Sequence, residues 1–352
     1  MSEAKDKKLG LRFPFWFKVC FSIVFIFVLG TCLGLYLGTK QEFQRFQQVA
    51  EGIHPLREDN ASFAMIRPLL SCNLSSIKEF NNNKILQDKI NSYINQSYNN
   101  QQAHKVSVFF TDFLGGDWLG INENDEYHPA SLLKLAVMMA YFKEAEDNPL
   151  ILEKQLAYNQ TVVNENNFVE FASSSELKVN EKYSIDKLIE AMIVNSDNGA
   201  KNLLIDNMDQ SAADNLQEIF KDIGLIQEYQ LNGVETISVK SYSWLLRFLY
   251  NSTYLDREYS NKAMMYLSKS TYDDGINAGL PPKTTVAHKF GEYIPSAGDS
   301  NQDIELHDCG VVYLPNNPYE LCLMTRGTNL DQLSSIIRDI SGIVYKSISG
   351  KN

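Results

Sequence analysis

The pattern of apolar and polar positions divides the chain into unlike parts. Residues 19–38 form an uncharged run of 20 residues, long enough for a helix to cross the hydrocarbon core of a bilayer. Beyond residue 85 the apolar positions become periodic and punctuated. Ile85, Leu86, Ile90, Tyr93 and Ile94 recur at helical spacing. Residues 106–110 read as a strand, Leu114-Gly115-Gly116-Asp117 as a turn and residues 118–121 as a second strand. Residues 129–143 form a strongly apolar helix, and Ser184 is placed to cap the next, whose face carries Ile185, Leu188, Ile189, Met192 and Ile193. Residues 240–250 and 261–269 read as helices, and 285–289, 310–314 and 321–325 as strands. A closing helix carries Leu333, Ile336, Ile337, Ile340 and Val344. Strands, helices, strands and a last helix in that order predict an α+β fold. One antiparallel sheet would be built from both chain ends, with flanking N- and C-terminal helices and an all-helical subdomain inserted between.

The flanks of the uncharged run give it an orientation. Lys5, Lys7, Lys8 and Arg12 precede it, Lys18 sits at its edge, and Lys40 and Arg45 follow. The basic excess places the N-terminus in the cytoplasm and the remainder outside. The run is longer than the apolar region of a cleaved signal peptide, and Thr39-Lys40-Gln41-Glu42 follows it, so an uncleaved anchor is expected rather than a leader or a buried core helix. The expected organisation is a cytoplasmic tail (1–12), a transmembrane anchor (13–39), a juxtamembrane linker (40–84) that packs against the body, and a catalytic domain (85–352). Gly30, Gly34 and Gly38 share one face of the span. That spacing suits a weak homodimer, although glycine is common in membrane helices in any case.

Composition narrows the function. Acidic residues outnumber basic ones 43 to 32, for a net charge of −11. Nucleic-acid binding needs concentrated Lys and Arg, so it is not expected. The five histidines are scattered, and no metal site is expected. Cys72, Cys309 and Cys322 lie beyond the span. Cys309 and Cys322 flank a turn and could bridge, but buried free thiols are the favoured reading.

The candidate chemistry starts at Ser131-Leu132-Leu133-Lys134. Positions three apart on a helix face the same way, so the amine reaches the hydroxyl. A serine is a poor nucleophile until a base takes its proton, and a lysine of depressed pKa is such a base. The pattern alone says little, because Ser2/Lys5, Ser75/Lys78, Ser175/Lys178 and Ser184/Lys187 repeat it. Ser131, however, follows His128-Pro129-Ala130 at a helix start, where free backbone N–H groups favour an oxyanion. Lys134 lies among Leu132, Leu133, Leu135, Ala136 and Val137. A lysine there either serves chemistry or snorkels from a half-buried helix. Ser196-Asp197-Asn198 precedes a helix and reads in isolation as a cap. Lys289-Phe290-Gly291 reads in isolation as a strand end.

Taken in order, these three motifs resemble the class A β-lactamase and penicillin-binding serine hydrolase family, whose motifs are Ser-x-x-Lys, Ser-Asp-Asn and Lys-Thr-Gly. The resemblance spans roughly residues 85–350. It implies Ser131 as acylated nucleophile, Lys134 as its base, Ser196 as proton relay to the leaving nitrogen and Asn198 as a contact to the substrate amide. It implies Lys289 beside the substrate carboxylate, Gly291 and Phe290 along the substrate-binding strand, and backbone N–H groups of Ser131 and Glu292 as the oxyanion hole. It implies acyl transfer without metal or cofactor, on a β-lactam or a cell-wall peptide.

Two positions depart from the family. Phe290 stands where the family has a hydroxyl residue. His307 could supply a donor nearby, but an ordinary polar residue at a strand end is the favoured reading. Glu228-Tyr229-Gln230-Leu231-Asn232 matches the letters of the family's deacylation loop, with Glu228 as the base that drives water. The loop is short after Gly224, and Asn232 competes with Glu228 for the aligned position. The expectation is therefore a β-lactamase-like serine hydrolase. A D,D-peptidase-like wall hydrolase and a non-catalytic, membrane-anchored module that senses wall peptides are the alternatives.

Overall fold

A computed structural model describes residues 16, 56–57, 63–71, 84–114, 116–159, 176–224, 236–295, 303–315 and 317–350. The chain divides into units Met1–Ile53 and His54–Asn352. The expected anchor, including Gly30, Gly34 and Gly38, lies outside the described residues except for Trp16. Among the described residues no helix is long and apolar enough to cross a membrane.

The larger unit is built on a five-stranded antiparallel sheet. Its strands are β1 (Lys105–Asp112), β2 (Trp118–Ile121), β3 (Val286–Tyr293), β4 (Ile304–Val312) and β5 (Tyr319–Gly327), in the spatial order β2-β1-β5-β4-β3. Both chain ends thus contribute, as the pattern predicts. The late strands extend beyond their apolar cores because Glu305, His307, Asp308 and Glu320 are buried within them, and these polar residues hide the strands from an apolar pattern.

One sheet face carries Val106, Val108, Phe110, Leu321 and Leu323, covered by helix α1 (Lys84–Asn99) and the closing helix, whose Leu333, Ile336, Ile337 and Ile340 are fully buried. The other face meets the helical layer: α2 (Lys134–Asp147), α3 (Ile185–Val194), α4 (Asn198–Asp206), α5 (Gln210–Asp222), α6 (Val239–Asn251) and α7 (Arg257–Leu267), with the closing helix as α8 (Leu330–Ser349). Helix α2 is buried from Lys134 to Phe142, as befits a helix apolar on every side. The inserted layer is not all-helical. Gln155–Tyr158 pairs with Glu181–Ser184, and Glu126–Tyr127 with Ile237–Ser238. These strands are two to four residues long, too short for a period of two to show.

Three local features differ from expectation or sharpen it. Part of the linker belongs to the larger unit: Ile66 is fully buried, and Arg67 N donates to Tyr250 O at 3.0 Å. Ser184 does cap α3, accepting from Lys187 N at 3.2 Å, so that Ser-x-x-Lys pair is a capping feature. Cys309 and Cys322 face each other across β4 and β5 and are joined in a disulfide, not left as free thiols. The strand register sets them opposite, which spacing alone does not reveal.

Candidate active site

The site forms where three segments meet. The 3₁₀ turn Ala130–Leu133 carries Ser131 and runs into α2, which opens on Lys134. The α3–α4 junction carries Ser196, Asp197 and Asn198. Strand β3 carries Lys289 and Gly291. Ser131 is 9% exposed, whereas Lys134 and Lys289 are 2% and 0% exposed.

Lys134 is the hub. Its Nζ donates to Ser196 O at 2.6 Å, Asn198 Oδ1 at 2.7 Å and Ser196 Oγ at 3.1 Å. Lys289 Nζ donates to the same Ser196 Oγ at 2.9 Å and to Phe290 O at 3.0 Å. Desolvation pushes the Lys134 amine well below its ordinary value, with Lys289 and Lys201 adding repulsion and Asp197 opposing it. Burial likewise lowers Lys289, to about 7, against the pull of Asp308. A lysine that loses its proton easily has a lone pair for a neighbouring hydroxyl. Ser131 lies three residues before Lys134, on the 3₁₀ turn that runs into α2.

Strained backbone holds these groups. Ala130 (φ 49°) and Ser196 (φ 56°) are both left-handed without being glycine, at a cost on the order of 1–3 kcal/mol each. The surroundings account for their persistence. His128 N donates to Glu305 Oε2 at 2.7 Å and Ala130 N to His128 Nδ1 at 3.1 Å, which ties the Ser131 turn to β4. Asp197 caps α4 through Ala200 N at 2.7 Å, and Tyr158 OH lies 3.2 Å from both Asp197 carboxylate oxygens. The cap reading of this tripeptide is therefore realised at Asp197, between the two residues that Lys134 Nζ contacts. Tyr158, Lys201 and Glu305 carry no sequence signal for these roles, since each acts through a tertiary contact.

Gly291 has a steric reason. A Cβ there would meet Leu132 Cγ at 3.1 Å, Pro129 O at 3.2 Å and Ala130 Cβ at 3.4 Å, so β3 lies directly against the Ser131 turn. The Ser131 N–H is an early donor of a short helix, where intrahelical acceptors are lacking. Glu292 follows Gly291 on β3, and its side chain is 8% exposed.

Other expected residues sit elsewhere. The Phe290 ring is buried, stacked on Tyr272 at 4.4 Å with the Lys289 ammonium 4.3 Å from its centroid. Its side chain thus supports Lys289 from within rather than lining the substrate strand. His307 is fully buried, with Nε2 3.0 Å from His128 O. It is not an ordinary strand-end residue but part of the brace beneath the Ser131 turn. Glu228 lies outside the described residues.

A sequence model of the β-lactamase enzyme family matches residues 85–348. Among curated proteins no match is found. Solved structures share the fold. PBP-A has 21% identity and a TM-score of 0.60, with 78% of this chain and 98% of that chain covered. A class A β-lactamase from Mycobacterium abscessus has 19% identity and a TM-score of 0.62, covering 75% and 99%. A β-lactamase from Xanthomonas campestris has 18% identity and a TM-score of 0.61, covering 75% and 98%.

Proposed function

The chain belongs to the β-lactamase enzyme family, and from that premise we propose that it is a serine hydrolase that forms an acyl-enzyme on Ser131 and opens β-lactams or related cell-wall amide bonds. The observation that carries this reading is the meeting of two buried lysines on Ser196 Oγ beside the Ser131 turn. Neutral Lys134 takes the Ser131 proton as Oγ attacks the carbonyl carbon. The oxyanion is held by the N–H groups of Ser131 and Glu292. The proton then passes from Lys134 through Ser196 Oγ to the leaving nitrogen, the C–N bond breaks, and water later releases the acid. Protonated Lys289 draws the substrate carboxylate, and Asn198 contacts the substrate amide.

The domain acts outside the cytoplasmic membrane, tethered by residues 19–38. The charge asymmetry around that run supports this placement. So does the Cys309–Cys322 bridge, because disulfides persist in oxidising compartments. The deacylation step separates a β-lactamase from a D,D-peptidase-like enzyme. Penicillin absorbance followed with the full-length chain distinguishes them: multiple turnovers lost in Ser131→Ala and in Glu228→Gln identify a β-lactamase. A single stoichiometric burst identifies a slow-deacylating, penicillin-binding enzyme. No loss of penicillin at all removes β-lactams from the reading.

A further inference from the structure

A second site is independent of the catalytic groups. Arg57, Ala64 and Arg67 line a cavity of about 480 Å³ together with residues at the end of β1, in the β4–β5 connection and near the C-terminus of α6. Two guanidiniums line it. Arg57 Nε donates to Phe113 O at 2.9 Å, and its Nη1 to Arg67 O at 3.0 Å and Asn251 Oδ1 at 2.6 Å. Arg67 Nη1 donates to Phe63 O at 3.2 Å and Ile66 O at 2.8 Å. A guanidinium has five N–H donors, more than these bonds to described residues use. Among the described residues neither arginine forms a salt bridge, although Asp112 attracts Arg57.

This arrangement is costly as it stands. Burial lowers the Arg57 pKa, with Arg247 adding repulsion and Tyr250 and Asp112 opposing it. The remaining walls are apolar. Phe113 and Tyr250 stack at 4.1 Å, with the Arg57 guanidinium carbon 5.5 Å from each ring centroid. Tyr313 closes a further side, its OH donating to Met65 O at 2.7 Å.

We propose that this cavity binds a phosphate ester carrying an apolar group, its phosphoryl oxygens on Arg57 and Arg67 and its apolar part against Phe113, Tyr250 and Tyr313. Two guanidiniums match a phosphate in charge and in bidentate geometry, and aromatic walls reward an apolar body. A lipid headgroup and a soluble ester share this chemistry.

Calorimetric titration of the full-length chain in neutral detergent tests the site, with phenyl phosphate, phenol and inorganic phosphate as probes. Phenyl phosphate is expected to bind at least tenfold more tightly than either fragment. Arg67→Gln is expected to weaken it at least tenfold. Ala64→Trp, which changes an exposed residue lining the cavity and leaves both arginines in place, is expected to abolish it with an unchanged thermal midpoint. Displacement by phosphatidylglycerol added to the micelles assigns the site to a lipid headgroup, and its failure to displace assigns it to a soluble ester. Wild-type affinity in both variants, or inorganic phosphate binding as tightly as the ester, overturns the proposal. Should Arg67→Gln not fold, Ala64→Trp decides alone.

Discussion

Lys134 and Lys289 approach one oxygen from two elements, reaching Ser196 Oγ at 3.1 and 2.9 Å. Two ammonium groups cannot both stay charged so close together in a buried site. Burial and mutual repulsion push the Lys134 amine well below its ordinary value, while Lys289 keeps its proton only below about pH 7.

The pH profile should show this difference. As pH rises through about 7, Lys289 loses its proton, and kcat/KM for a carboxylate-bearing substrate should fall. Arginine stays charged, so Lys289→Arg should flatten that alkaline decline even at lower overall activity. An alkaline limb that is the same in both proteins would assign it to another group.

Gly291→Ala tests how tightly β3 seats the nucleophile. The new methyl group would press on Leu132 Cγ and Pro129 O at 3.1 and 3.2 Å, displacing the turn by a few tenths of an ångström. Acylation should slow by about tenfold, less than the roughly hundredfold cost of a 1 Å misplacement, with little change in thermal midpoint. An unchanged acylation rate would mean that the turn adapts freely.

Glu320 is fully buried, and desolvation raises its pKa to about 8 against the smaller opposing effects of Arg247 and Thr111. Between about 4.5 and 8 the folded state holds a proton that the unfolded state has released, so this group's contribution to stability falls as pH rises through that window. Glu320→Gln removes the effect. Urea unfolding at pH 5 and pH 9 should show the variant gaining on the wild type at the higher pH, and an equal difference at both values would refute the assignment.

The disulfide predicts a stability loss of a defined kind. It closes a short loop, with Cys309 and Cys322 separated by 13 residues, for which the loss on removal is about 2–3 kcal/mol. Replacing both cysteines with alanine should lower the urea midpoint accordingly. Alkylation of the unfolded, unreduced chain should leave both residues unlabelled, and labelling of either would restore the free-thiol reading.

The helices were legible because their apolar faces recur at a fixed spacing, as in Leu333, Ile336, Ile337 and Ile340 on α8. The full lengths of β4 and β5 were not, because Glu305, Asp308 and Glu320 are polar residues in buried strands. Asp308 shows the reason: it is satisfied by His288 Nδ1 and Ile276 N, both at 2.8 Å, partners that only the folded chain supplies. Lys134, Ser196 and Lys289, which meet in the candidate site, were legible as part of an ordered set and not singly. What positions them was not legible: the Tyr158–Asp197 contact, the Glu305 anchor of the Ser131 turn and the inward packing of Phe290 all join residues distant in sequence or depend on which way a strand faces.

The central claim is that Ser131 is acylated with Lys134 as its base. Intact mass and peptide mapping of the full-length chain after incubation with benzylpenicillin, sampled from milliseconds to minutes, test it most directly. The account predicts a penicilloyl adduct on the Ser131 peptide, absent in Ser131→Ala and formed at least a hundredfold more slowly in Lys134→Ala. An adduct on another residue, or one that forms at the wild-type rate without Lys134, would contradict it.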